Sequence, residues 1–106
     1  MHPQEIQKQI AELIQENSKG TNALFEAERK LAEAEYTLDT VEQKAFIKSQ
    51  GTVADRTAIA RLEAAESRLE RDLKRAELNR IKHKVKAIET ALMALGTQVK
   101  LMGVER

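Results

Sequence analysis

The 106-residue chain lacks cysteine and tryptophan, contains a single proline, and is only 3 % aromatic. Without cysteine, disulfides and thiolate metal sites are excluded. With so few aromatic side chains a thick globular core is difficult to build, so Leu, Ile, Val and Ala must supply the buried surface. No apolar run approaches the roughly 20 residues of a membrane span, and no apolar signal-peptide core follows Met1, so we expect a cytoplasmic protein.

Charged residues make up 33 % of the chain, and the abundance of Ala, Glu, Lys, Leu and Arg is typical of long helices and coiled coils. The length favours a single domain over 1–106. The net charge of +1 conceals an asymmetry, because residues 1–45 carry five Lys/Arg and nine Asp/Glu, whereas 46–106 carry thirteen and eight. This split indicates self-association or an anionic partner for the second half.

The stretch from Thr52 to about Met102 predicts one unbroken helix, which Thr52 caps together with Asp55 three residues later. Apolar residues in its second half step by four and three, which is the heptad spacing that keeps one seam facing a partner helix. We assign this oligomerisation seam to Ile81, Val85, Ile88, Leu92, Leu95, Val99 and Met102.

The first half of the chain predicts two further helices, 3–18 and about 22–50, with stops at Gly20 and Gly51. A short turn between long helices makes them antiparallel neighbours, so the helix 22–50 should pack along the first part of 53–102. We therefore predict an all-α fold, a long antiparallel helical hairpin with a short N-terminal helix. That helix would run along the overhang of 53–102, and chains would assemble by coiled-coil-like packing.

Such a hairpin buries one stripe on each helix and leaves several large apolar residues in water. Burying each aliphatic or Phe side chain would gain roughly 1.5–3 kcal/mol, so we expect a homo-oligomer, with a closed ring as one form. The residues expected to stay exposed in the single chain are Phe25, Phe46, Ile47, Ile59 and Leu78.

No catalytic constellation stands out in the sequence. His2 and His83 are far apart, and His83 lies among lysines that disfavour its protonation as a general base. The acidic residues are scattered over helix faces with Lys or Arg three or four positions away, which is typical of surface pairs. We therefore expect neither an enzyme nor a cofactor, and no metal site.

A basic strip from Arg71 to Lys86 is the strongest candidate for a binding site in the sequence. It contains seven Lys/Arg against two acidic residues, Asp72 and Glu77. Displacing counterions from a phosphate backbone needs such a strip, and without aromatic platforms the binding would depend little on base sequence. The alternative is a solvated flank, or one that pairs with the acidic helix 22–50. The strip comprises Arg71, Lys74, Arg75, Arg80, Lys82, Lys84 and Lys86.

A second, smaller basic group surrounds the predicted hairpin tip. It comprises Lys44, Lys48, Arg56 and Arg61. Since a tip is exposed by its geometry, solvation explains these charges without a partner. In a ring of subunits, however, the tips would gather on one rim and their charges would add.

An Ala/Glu-rich stretch with a tyrosine (32–36) leads to Lys44 and a Ser-Gln-Gly turn (49–51), followed by Asp55-Arg56. A second Ala/Glu-rich stretch (58–65) then precedes a long helix closing with Leu92, Leu95, Val99 and Lys100. Over roughly residues 25–102, this order of motifs resembles the small phage recombination mediators of the UvsY type. The turn region with its Lys, Gly and Asp-Arg is the most specific part of the likeness.

This resemblance implies a helical protein that forms a closed ring, binds single-stranded DNA and helps to load a RecA-like recombinase in place of a single-strand-binding protein. It also implies that basic residues shortly before the turn bind DNA, and Lys44 and Lys48 occupy that region of this chain. A structural coiled-coil scaffold, or a regulator that binds another protein through a helix seam, remains the alternative.

Overall fold

The computed structural model describes residues 2–101 and Gly103 and is all-helical over them, as predicted. Helix α1 spans Pro3–Lys48, α2 spans Val53–Glu63 and α3 spans Ala65–Leu101. Pro3 stands at the first helical position, where its missing N–H leaves no hydrogen bond unmade.

The predicted helix stop at Gly20 is wrong, because α1 runs through this residue and is 46 residues long in total. A glycine costs a helix only about 1 kcal/mol, and in α1 its lack of a side chain permits a close approach. A Cβ atom at Gly20 would lie 3.0 Å from Val85 Cγ2. The helices expected at 3–18 and 22–50 are therefore one element, with Gly20 marking a contact between helices.

The turn after α1 forms where the sequence predicts it. Gly51 has a φ of 117°, a conformation that favours glycine. The Thr52 side chain accepts a hydrogen bond from the Asp55 N–H at 3.1 Å, and the Thr52 N–H donates to the Asp55 carboxylate at 3.3 Å. This reciprocal capping box begins α2 and confirms the cap at Thr52.

The single helix predicted from 53 to about 102 is interrupted at Ala64. Ala64 has φ −89° and ψ 6°, outside the helical range, and its side chain is fully buried. Arg68 lies across the break, donating to the Arg61 carbonyl at 3.3 Å and to Glu42 at 2.8 Å. The burial of this small residue, together with the local bond to Arg61 and the tertiary bond to Glu42, explains a break that no Gly or Pro signals.

The described residues divide into two compact units. The turn unit comprises Glu26–Asn79, and the terminal unit comprises the residues up to Phe25 and from Arg80 onward. In the turn unit, the buried positions are mostly small, which lets helices pack closely. They are Ala27, Ala34, Leu38, Ala45, Ala60, Ala64 and Leu78. In the terminal unit, Ile6 and Ile88 are the buried positions.

The predicted exposure of large apolar residues is confirmed for three of the five. Phe25, Ile47 and Ile59 remain exposed. The sequence predicts Leu78 in water, but it is buried in the turn unit because α1 and α3 pack there through small residues. Phe46 is half-buried, since the Arg56 guanidinium covers its ring. Among the described helices, none combines the length and apolar character needed to cross a membrane.

Candidate nucleic-acid interface

The first part of the basic strip is engaged with carboxylates in the turn unit. Arg71 pairs with Asp72 at 2.8 Å and Lys74 with Glu70 at 3.5 Å, both on α3. Arg75 reaches Glu35 on α1 at 3.8 Å. These pairs partly satisfy the alternative interpretation, in which the strip pairs with the acidic helix. The arginines and lysine that look free in the sequence already have local partners.

The second part of the strip is different. Its four residues are exposed, and none forms a salt bridge with another residue that the structure describes. They are Arg80, Lys82, Lys84 and Lys86, all in the terminal unit. Their spacing places Arg80 with Lys84, and Lys82 with Lys86, on the two opposite flanks of the apolar seam.

Arg80 and Lys84 border a groove between α1 and α3, and Lys19 borders it from the α1 side. The groove has a volume of ≈ 580 Å³, and its lining includes Gly20 and Val85, where the two helices approach closely. Three cationic side chains thus surround one concavity, against the single carboxylate of Glu16. We call Lys19, Arg80 and Lys84 the groove cluster.

Sequence reasoning misses Lys19 as a site residue because it interprets Gly20 as a helix stop. Once α1 continues, the antiparallel pairing of Gly20 with Val85 brings Lys19 beside Lys84. The sequence signal that could have found it is the seam spacing of α1, because positions 6, 10, 13, 17, 20, 24 and 27 step by four and three across Gly20.

The tip group separates into two kinds of residue. Lys44 and Lys48 are exposed and have no salt bridge within the described part of the chain. Arg56 instead donates from Nε and Nη2 to the Phe46 carbonyl oxygen, at 3.2 and 3.0 Å. Its position on the Phe46 ring makes it a clamp on the turn.

The predicted oligomerisation seam has a cover within the chain. Ile88 is buried, and Ile81, Val85, Leu92, Leu95 and Val99 are half-buried in the terminal unit. Leu95 borders a second groove with Leu13 of α1, so the first part of α1 contacts the seam. Met102 lies outside the described residues.

Acidic residues on α1 are partly neutralised by their own helix. Arg29 lies between Glu26 and Glu33 and bonds to both, with 2.7 Å to Glu26. The Arg29 hydrogen bond and positive charge lower the pKa of Glu26 below its usual value, and the two carboxylates raise the pKa of Arg29. Two other carboxylates of α1, those of Glu35 and Glu42, pair instead with arginines of α3.

Comparison with family models, curated proteins and solved structures found no match to this chain. The likeness to UvsY-type mediators accordingly stays a resemblance of motifs.

Proposed function

We propose that this protein is a phage-type recombination mediator that binds single-stranded DNA as a homo-oligomer and assists the loading of a RecA-like recombinase. The observation that carries the DNA-binding part is the set of exposed cations from Arg80 to Lys86, with Lys19 beside them. The mediator role rests on the resemblance in motif order. Such a protein would act in the cytoplasm, that of the host if it is of phage origin.

Free cations favour a phosphate partner more strongly than paired cations do. A lysine already bonded to a carboxylate must break that pair before it can displace counterions from DNA. No salt bridge joins these four exposed cations to a described residue, so each can contact phosphate without first breaking an ion pair. They are Arg80, Lys82, Lys84 and Lys86. The positions of an i, i+4 pair lie about 6 Å apart along a helix, so a strand that follows one flank could meet both charges of that flank.

Base recognition plays a small part in this proposal. The exposed aromatic side chains are Phe25 and Tyr36, and neither borders the groove cluster. Without a stacking platform beside the charges, affinity should be similar for dT and mixed-sequence oligonucleotides.

The test compares two triple variants that remove equal charge. Lys82, Lys84 and Lys86→Gln remove free cations, whereas Arg71, Lys74 and Arg75→Gln remove paired ones. We expect the first variant to lose affinity for a 40-mer and to flatten the log–log salt slope by about 0.7 for each lysine on the flank that the strand follows, which is about 0.7 on the groove flank and about 1.4 on the opposite flank. The second should bind nearly as the wild type does.

Equal weakening by the two triple variants would mean that net charge alone acts, with no localised site. Two double variants then assign the flank: Lys19 with Lys84, on the groove, and Lys82 with Lys86, opposite. A double variant of Lys44 and Lys48 tests the tip separately.

If micromolar wild-type protein fails to shift the 40-mer at low salt, the proposal of DNA binding is wrong. The mediator step is tested by whether the protein speeds recombinase loading onto strands covered by a single-strand-binding protein.

A structural scaffold or regulator without nucleic-acid binding is the second candidate. The pairing of Arg71, Lys74 and Arg75 with carboxylates favours it, because those charges have partners without any ligand and Arg75 joins α3 to α1. An assembly that persists while DNA binding is absent would support this candidate.

A further inference from the structure

Two exposed leucines of the turn unit lie beside a groove. Leu69 and Leu73 lie one helical turn apart on α3 and are 60 % and 56 % exposed. They border a groove of ≈ 700 Å³ between α3 and α1, whose other side includes Ala34 and Thr37. An apolar pair of this kind beside a groove indicates a docking surface.

The charges at the two ends of this groove have opposite signs. Glu66 lies before the leucines on α3, and Lys74 lies after them. The α1–α3 salt bridges, Glu42 with Arg68 and Glu35 with Arg75, show that the helices run antiparallel. Lys30, which also borders the groove, is therefore at the Lys74 end.

Glu66 and Lys30 are exposed and form no salt bridge to any residue that the structure describes. The other charges of the groove are already matched, since Glu70 pairs with Lys74 and Glu33 pairs with Arg29. One unmatched carboxylate thus stands at one end of the leucine pair and one unmatched ammonium at the other.

We propose that a second copy of this chain docks on this groove in a two-fold arrangement centred between Leu69 and Leu73. A two-fold axis there reverses the groove, so the acidic end of each copy meets the basic end of the other. The Glu66 end of one copy then meets the end that Lys30 borders in its partner, twice, while the four leucines meet at the centre. A surface that is self-complementary in charge fits its own copy better than an unrelated helix.

This inference deepens the homo-oligomer part of the proposed function and rests on it, but it is independent of DNA binding. It places one contact between copies on α3 before Arg80, whereas the seam from Ile81 onward already contacts α1 of the same chain. The seam prediction and this inference therefore name different surfaces, which a variant can separate.

The experiment measures the dimer dissociation constant by sedimentation equilibrium without DNA. Leu69→Asn with Leu73→Asn should raise it at least tenfold while helix content by circular dichroism stays unchanged. Leu62→Asn is the matched control, since Leu62 is 78 % exposed and does not border the groove. An unchanged dissociation constant in the double variant would overturn the inference.

A charge swap tests the orientation of the two copies. Glu66→Lys and Lys30→Glu should each raise the dissociation constant, because unmatched charges of the same sign then meet at each end of the interface. The two substitutions combined in one chain should restore it, and a combined variant that binds no better than either single one would contradict the two-fold geometry. A wild-type chain that stays monomeric overturns the inference, whereas DNA binding is judged separately by its salt-dependent mobility shift.

Discussion

Arg56 lies over the Phe46 ring, 4.2 Å from its centroid, and donates two hydrogen bonds to the carbonyl oxygen of the same residue. These contacts join residues on opposite sides of the Ser49–Thr52 turn, at the end of α1 and the start of α2. Arg56 belongs to the basic tip group, and its guanidinium is already engaged with the turn.

Replacing Arg56 with Gln should lower the free energy of unfolding by about 2 kcal/mol. The hydrogen bonds to a charged donor contribute about 1.5–3 kcal/mol, and stacking over the ring adds a smaller amount. Urea unfolding followed by circular dichroism measures the change. Arg61→Gln is the control, because its side chain has no hydrogen bond or salt bridge to a described residue. Equal stability of the two variants would contradict the clamp.

Replacing Gly51 with Val should cost more stability than replacing Thr52 with Ala. A Cβ at Gly51 would lie 3.0 Å from Asp55 Oδ2 and 3.2 Å from Asp55 Cβ, and its φ is positive. We expect a loss of about 2 kcal/mol from strain there, and about 1 kcal/mol from the lost cap at Thr52. Melting curves of both variants test this order.

Thr57→Ala is the matched control for the cap. Its hydroxyl donates to the Val53 carbonyl within α2 and satisfies no free helix end. It should leave the melting temperature nearly unchanged. If Thr52→Ala has the same melting temperature as Thr57→Ala and the wild type, the capping box does not stabilise this turn.

Two glycines within helices should respond differently to Ala. A Cβ atom at Gly96 would have nothing within 4 Å, so Gly96→Ala should stabilise the protein by about 1 kcal/mol through helix propensity. Gly20→Ala should gain less, because its Cβ would lie 3.0 Å from Val85 Cγ2. Chemical denaturation gives the difference between the two.

The effect of Gly20→Ala should also be measured in a chain that carries Val85→Ala. Removing the Val85 methyl groups removes the close contact, so Gly20→Ala should recover its full helix-propensity gain there. An equal gain in both backgrounds would show that the two helices do not approach closely at this position.

The carboxyl group of Glu26 should titrate below its usual pKa of 4.5, because Arg29 donates a hydrogen bond to it and favours the charged form. Since the pKa is lowered in the folded state, this pair stabilises the fold above the usual value. Its contribution disappears as the pH falls through the lowered pKa. A carboxyl NMR titration of the wild type and of Arg29→Gln measures the shift, and an unchanged pKa in the variant would show that Arg29 is not its cause.

Local patterns predicted the parts of the fold that depend on a few neighbouring residues. The all-helical class follows from the spacing of apolar residues, and the turn follows from the conformation of Gly51 and the hydroxyl and carboxylate of Thr52 and Asp55. These signals act over about four residues, so the linear sequence contains them completely.

The candidate site was only partly predictable. The exposed cations Arg80, Lys82, Lys84 and Lys86 belong to the strip identified by charge density alone. Whether a given arginine is free depends on which carboxylate packs opposite it, and Glu35 lies forty residues from Arg75 in the chain. Oligomerisation and DNA binding stay predictions.

The sequence by itself determined that the chain is helical and where it reverses, because helix periodicity, capping and a glycine with positive φ are local properties. The tertiary structure alone decided that α1 runs through Gly20, that the following helix breaks at Ala64, and that Lys19 joins Arg80 and Lys84. In each case a preference of about 1 kcal/mol in the isolated segment was smaller than the packing and hydrogen bonds that a distant helix supplies.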